Sequence, residues 1–141
     1  MSPEAPTSED VRWLRRCLEL AQAAAVADEV PVGAIVVVDG AVVGEGRNRV
    51  EELRSPLAHA EMLALQQALV HAGNKRLANA TLYCSLEPCF LCAGAILHAR
   101  VDRVVFGASD PKFGAVRSLA NVLEDPRLNH RCTVVAGVEA T

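Results

Sequence analysis

Apolar residues recur along the chain at two periods, and the switches between them lay out the elements. Val11, Leu14, Leu18, Ala21 and Ala25 stand three or four apart, the spacing of one helix face, with Trp13 and Cys17 at its edges. Thr7 or Ser8 offers a capping hydroxyl, so a helix is predicted from there to about Ala27. Val32 to Val38 is a β-branched run, Asp39-Gly40 a hairpin turn, and Ala41 to Gly46 a returning strand. Pro31 suits the first position of a strand, where a missing N–H is tolerated. Arg47 to Pro56 is polar and reads as a loop. The helical period returns from Ala58 through Met62, Leu65, Ala68, Leu69 and Ala72, and Gly73-Asn74 ends it. Thr81 to Leu86 is a short strand broken by Pro88, and Cys89 to Ala99 is a helix. Arg103 to Gly107 is a strand, Ser118 to Leu123 a short helix, and Cys132 to Gly137 a last strand.

The order α-β-β-α-β-α-β-α-β predicts a three-layer α/β domain, a mixed five-stranded sheet with helices on both faces. Its later strands are expected to be parallel, because helical crossovers join them. Residues 1–141 fit one domain, with no internal repeat, low-complexity tract or linker. A hydrophobic fraction of 51% with 22% charged residues is that of a folded chain, and no apolar run approaches the roughly 20 residues a bilayer demands. Met1-Ser2-Pro3-Glu4-Ala5-Pro6 lacks the basic residues and apolar core of a signal peptide, so the expected location is cytoplasmic, with no membrane partner. A net charge of −3 argues against a general phosphate-binding surface, although Arg100, Arg103, Lys112 and Arg117 form a modest basic cluster late in the chain.

The candidate chemistry lies in two short stretches, His59-Ala60-Glu61 and Pro88-Cys89-Phe90-Leu91-Cys92. His-x-Glu followed by Pro-Cys-x-x-Cys is the pattern of zinc-dependent nucleobase deaminases. A catalytic zinc takes three protein ligands and leaves its fourth position to water, and His59, Cys89 and Cys92 make such a set. A structural Cys-x-x-Cys site normally needs a second pair, which this chain does not have. Both stretches open predicted helices, where exposed N–H groups and the helix dipole favour thiolate. Glu61 follows His59 by two residues, roughly 200° around a helix, so His59 must sit at the helix start if both are to face one site. Glu61 would then accept a proton from water, protonate the ring nitrogen, and pass the second water proton to the departing amine, a hydrolytic deamination.

Blander readings stand beside these. Glu61 alone could be a helix-capping carboxylate, Asn48 a turn residue and Val32 a core strand residue. A thioredoxin-like redox pair at Cys89 and Cys92 explains neither His59 nor Glu61. Cys17, Cys84 and Cys132 are expected to be buried structural thiols, and His71, His98 and His130 surface or packing residues.

At these residues the chain resembles the cytidine deaminase superfamily, and more narrowly the bacterial tRNA-specific adenosine deaminases that convert wobble adenosine to inosine. Beyond the two stretches, the likeness is carried by Glu29-Val30-Pro31-Val32-Gly33-Ala34, Gly44-Glu45-Gly46-Arg47-Asn48-Arg49, Ala80-Thr81-Leu82-Tyr83, Leu86-Glu87-Pro88-Cys89, Arg103-Val104-Val105-Phe106-Gly107-Ala108 and Asn129-His130. It runs from about Val11 to Val138. The resemblance implies a cytidine-deaminase-like fold, one Zn2+ per chain held by His59, Cys89 and Cys92, and Glu61 as the catalytic proton shuttle. It further implies substrate contacts from Asn48 to the target base, from Val32 as a pocket wall, and from Asp110 near the flanking nucleotides. The implied partners are a tRNA anticodon loop and a second copy of the chain in a homodimer.

Leu57 stands where those enzymes usually carry Thr, and Val116-Arg117 replaces small residues before Ser118-Leu119. The family's C-terminal helix is expected to be absent, since the chain stops at Thr141. The alternative substrates are a free base or nucleoside, namely guanine, cytosine or adenosine. A catalytically silent zinc or RNA-binding module is the remaining possibility, and Glu61 argues against it.

Overall fold

A strand buried on both faces needs apolar side chains at every position, and Gly33-Ala34-Ile35-Val36-Val37-Val38 meets that need inside the sheet. The computed structural model describes residues 5–139. The signal-peptide reading falls mainly on Met1 to Glu4 and the expectation about the C-terminal helix on the end of the chain, both outside the described residues. In chain order the elements are α1 (Ser8–Val26), β1 (Gly33–Val38), β2 (Ala41–Arg47), α2 (Val50–Leu53), α3 (Ala60–Ala72), β3 (Ala80–Leu86), α4 (Phe90–Ala99), β4 (Arg103–Ala108) and β5 (Thr133–Val135). The sheet runs β2-β1-β3-β4-β5, antiparallel through β2, β1 and β3 and parallel through β3, β4 and β5. This is the expected mixed five-stranded α/β sheet.

Strand alternation sorts the core into two layers. Ile35, Val37, Tyr83, Val105 and Val135 pack with Leu14 and Cys17 of α1. Ala34, Val36, Leu82, Val104 and Phe106 point the other way, into a larger core with α3 and α4. Gly46 lets α3 approach the sheet closely, since a Cβ there would lie 2.3 Å from the Ala60 carbonyl oxygen.

A buried polar group anchors α1. Thr7 caps the helix, and the Asp10 carboxylate accepts from the Thr7 N–H at 3.0 Å in a capping box. Asp10 also accepts both Arg103 guanidinium N–H groups at 2.7 Å and the Tyr83 hydroxyl at 2.8 Å. Burial alone would raise the Asp10 pKa, but these hydrogen bonds, led by Arg103, hold it down at about 2.

Four sequence expectations need correction. The buried face of α1 is Asp10, Leu14, Cys17, Ala21 and Ala24, whereas Leu18 and Ala25 face outward, because Cys17 is the residue that seats against the Tyr83 carbonyl. The polar stretch after Arg47 contains α2, whose first turn is fixed by the Glu29 carboxylate accepting the Glu51 and Glu52 N–H groups at 3.0 and 2.9 Å. Ser118 to Leu123 is not a helix, since its N–H groups go to tertiary acceptors: Ser118 to Glu87, Leu119 to the Gly114 carbonyl and Val122 to the Ala115 carbonyl. The last strand is only Thr133–Val135, and Gly137 at φ +66° lies beyond it.

Replacing Asp10 by Asn should lower unfolding stability by about 3 kcal/mol at neutral pH, because the half-buried Arg103 loses the charge of the Asp10 carboxylate. The ordinary Asp value of 3.8 lies above the folded value of about 2. The ionic share of that stability is therefore full above roughly pH 4 and disappears as pH falls through about 2, so urea titrations of the two proteins should converge there. Gly46→Ala should cost about 2 to 3 kcal/mol in the same titrations, since the α3 backbone must move off the sheet.

Candidate metal centre and active site

The closeness of α3 to β2 sets where α3 begins. His59 is its N-cap, with φ −74° and ψ 151°, outside the helical region. That extended backbone brings His59 and Glu61 to one cleft despite their two-residue spacing. The His59 side chain makes no cap hydrogen bond. Instead Asn48, at the end of β2, supplies the acceptor: its Oδ1 takes the Ala60 N–H at 2.7 Å. Asn48 is buried and capped into place, a more constrained position than a turn residue would hold.

The second stretch behaves alike. Cys89 is the N-cap of α4 and Cys92 lies one turn in. His59 Nδ1 stands 3.6 Å from Cys89 Sγ and 3.5 Å from Cys92 Sγ, and the three donor atoms lie within 4.8 Å of one another, a group that could hold a metal ion. The Cys92 thiol, its N–H and His59 hold the Cys89 pKa down to about 5 against burial, while the contact with Cys89 and burial push the Cys92 thiol up. Glu61 is 4% exposed, and burial pushes its carboxyl up to about 7.

A cleft of about 510 Å³ opens over these groups, lined by His59, Glu61, Cys89, Asn48, Val32 and Asp110 among others. Cys92 is buried beneath it and does not line it. Val32 thus serves core and cleft wall together, being 5% exposed. One oxygen of Asp110 is committed to its own loop, accepting from the Lys112 and Phe113 N–H groups at 3.1 and 3.3 Å.

Three residues escape the sequence reading. Glu87, 2% exposed, accepts the N–H groups of Asp110, Val116, Arg117 and Ser118 at 2.7 to 3.1 Å, together with the Ser118 hydroxyl. Burial would raise its pKa, but these donors hold it at about 2. Its sequence signals are its place in Leu86-Glu87-Pro88-Cys89, one of the stretches that carry the family likeness, and an acidic residue ending an apolar strand directly before Pro88. Glu29 and Phe113 also line the cleft; Glu29 opens a stretch that carries the family likeness, and Phe113 belongs to no such stretch. Within the basic cluster Arg103 is paired with Asp10 and Arg117 with Glu124. Cys17, Cys84 and Cys132 are buried free thiols, His71 and His98 are exposed, and His130 Nε2 meets the Val101 carbonyl oxygen at 2.6 Å.

Residues 8–139 match the model of the MafB19-like deaminase family. The chain is 47% identical over 132 residues to a tRNA-specific adenosine deaminase of Haemophilus influenzae, covering 93% of this chain and 76% of the relative. Among solved structures, one from a study of A-to-I editing by tRNA:A34 deaminases at the wobble position of transfer RNA superposes with a TM-score of 0.85 at 41% identity, covering 89% of this chain and 91% of that one. A guanine deaminase of Bacillus subtilis gives a TM-score of 0.69 at 38% identity, over 74% of this chain and 66% of the other. With the cleft, its donor cluster and its cytidine-deaminase-like sheet, these likenesses identify a deaminase, and the chain belongs to the MafB19-like deaminase family in company with the tRNA-specific adenosine deaminases.

Proposed function

We propose that the chain is a zinc-dependent hydrolase that converts the wobble adenosine of tRNA to inosine, with His59, Cys89 and Cys92 as metal ligands and Glu61 as the catalytic group. The observation that carries this reading is the buried Glu61 carboxylate beside a cluster of one imidazole and two thiols, all lying at helix N-termini. That donor set fits zinc, whose catalytic sites take three such ligands and keep one position for water. Bound there, zinc supplies Lewis acidity that brings the pKa of a water molecule near neutrality.

The chain's own residues move the protons. Glu61 takes one proton from the attacking water and delivers it to the purine ring nitrogen, then carries the remaining hydroxyl proton to the amine, which departs as ammonia while the water oxygen remains on the base. Asn48 has its Oδ1 engaged by Ala60, which leaves its NH2 to donate to the base, and Val32 bounds the ring. Asp110 faces the neighbouring nucleotides. We also infer a cytoplasmic homodimer, a reading supported by the exposure of Phe90 and Leu91 beside Cys89, at 53% and 38%.

Deamination of a free base or nucleoside is the second reading, favoured by the guanine deaminase likeness and by the carboxylates of Asp28, Glu29 and Glu51 in the cleft. Higher identity over more of the chain supports the tRNA reading. So do Val30 and Phe113, exposed at 63% and 65%, which suit an open cleft better than a lidded pocket.

Zinc-loaded protein is expected to form inosine in an anticodon stem-loop in preference to deaminating free guanine, cytosine or adenosine, read as inosine and ammonia; the reverse preference would establish the second reading. Glu61→Gln should lower turnover by about 100- to 10,000-fold while leaving zinc content unchanged. His59→Ala and Cys89→Ala should instead lose zinc on dialysis against a chelator, measured by elemental analysis against about one zinc per chain in the parent protein.

A further inference from the structure

Phe113 lines the cleft with His59, Glu61 and Asn48, yet 65% of its surface is exposed and it joins neither apolar core among the described residues. Its backbone is nonetheless held from both sides. The Asp110 carboxylate accepts its N–H, and the Asp110 carbonyl accepts the Gly114 N–H at 2.9 Å. Gly114 forms an antiparallel bridge with Cys89, and Ala115 donates to the Pro88 carbonyl at 2.9 Å. The ring therefore sits one residue from a backbone pairing with a proposed metal ligand. On the other side Glu87 holds the loop, and a Cβ on Gly114 would lie 2.3 Å from the Glu87 carboxylate carbon, so the loop is packed hard against it.

Charge decides what such a ring can receive. The cleft lining includes Asp28, Glu29, Glu51 and Asp110 and no Lys or Arg. Those carboxylates repel a phosphate, whereas the uncharged face of a base can lie on an aromatic ring. We propose that Phe113 is a stacking platform for the nucleobase next to the target nucleotide, and that it selects single-stranded nucleic acid over free bases and nucleosides. The assignment rests on the reading of the cleft as a tRNA adenosine deaminase site.

The test compares the parent protein with F113A, F113L and F113W on an anticodon stem-loop. The loop is used unlabelled for kinetics and with 2-aminopurine at either flanking position for fluorescence. Loss of the ring should raise KM by about 5- to 150-fold, the range of one base–aromatic stack, with the larger share of the lost efficiency in KM. F113L, apolar without a π face, should resemble F113A, and F113W should recover most of the loss. The 2-aminopurine signal at one flanking position should be more strongly quenched in the parent and F113W complexes than in F113A. If the parent converts the stem-loop and either F113A or F113L matches it in KM and quenching, the platform is overturned while the tRNA reading stands. If the parent leaves the stem-loop unconverted but deaminates a free base, the tRNA reading falls and the platform with it.

Discussion

Two helix starts must be brought to one point if an imidazole, two thiols and a carboxylate are to act together, and the chain achieves this by close packing against the sheet. Gly46 lets the α3 backbone lie almost on β2, and Asn48, two residues further on, caps that helix across the gap. The end of β2 and the start of α3 are thereby locked as one unit, with His59 at the junction. The β3 strand delivers Cys89 from its own end through Leu86-Glu87-Pro88. Small displacements matter here because donor atoms now within 4.8 Å of one another would cease to form a cluster.

The buried carboxylates divide by what surrounds them. Asp10 and Glu87 are fully supplied with donors and are held ionised, one by a guanidinium and a phenol, the other by a run of backbone N–H groups. Both tie distant segments together and have no proton to lend near neutrality. Glu61 is buried with few donors and its affinity for a proton is raised. All three are nearly closed off from solvent, but Glu61 lies deepest, and its depth together with its few donors makes it the one whose proton affinity is raised.

Local periodicity and turn chemistry made most of the fold legible. The hairpin at Asp39-Gly40, the helices after His59 and Cys89 and the parallel pairing of β3 with β4 across α4 each follow from a few residues of neighbouring sequence, whereas β5 pairs in parallel with β4 without the helical crossover expected there. The site donors were legible for the same reason, since their spacing is local. Glu87 and Phe113 were not, because one acts on residues 23 to 31 positions away and the other only through its exposure at a cleft that the fold creates. Ser118 to Leu123 looked helical because its composition allows a helix, but the tertiary acceptors Glu87, Gly114 and Ala115 claim N–H groups a helix would use. The face of α1 was misread by one residue, since Leu18 is the larger apolar group but Cys17 has the room against Tyr83.

The anchoring of α1 also sets an order of assembly. Asp10 and Arg103 are 93 positions apart, so the helix made first is fastened by a strand made late. At roughly 5 to 20 residues per second of synthesis, the partner emerges about 5 to 20 seconds after the helix. Until then the apolar stripe of α1 has β1 and β3 to rest on but lacks the guanidinium that neutralises its buried carboxylate. The anchor of α1 is therefore completed only when β4 has been made, and a chain halted before Arg103 would hold the Asp10 carboxylate without its guanidinium.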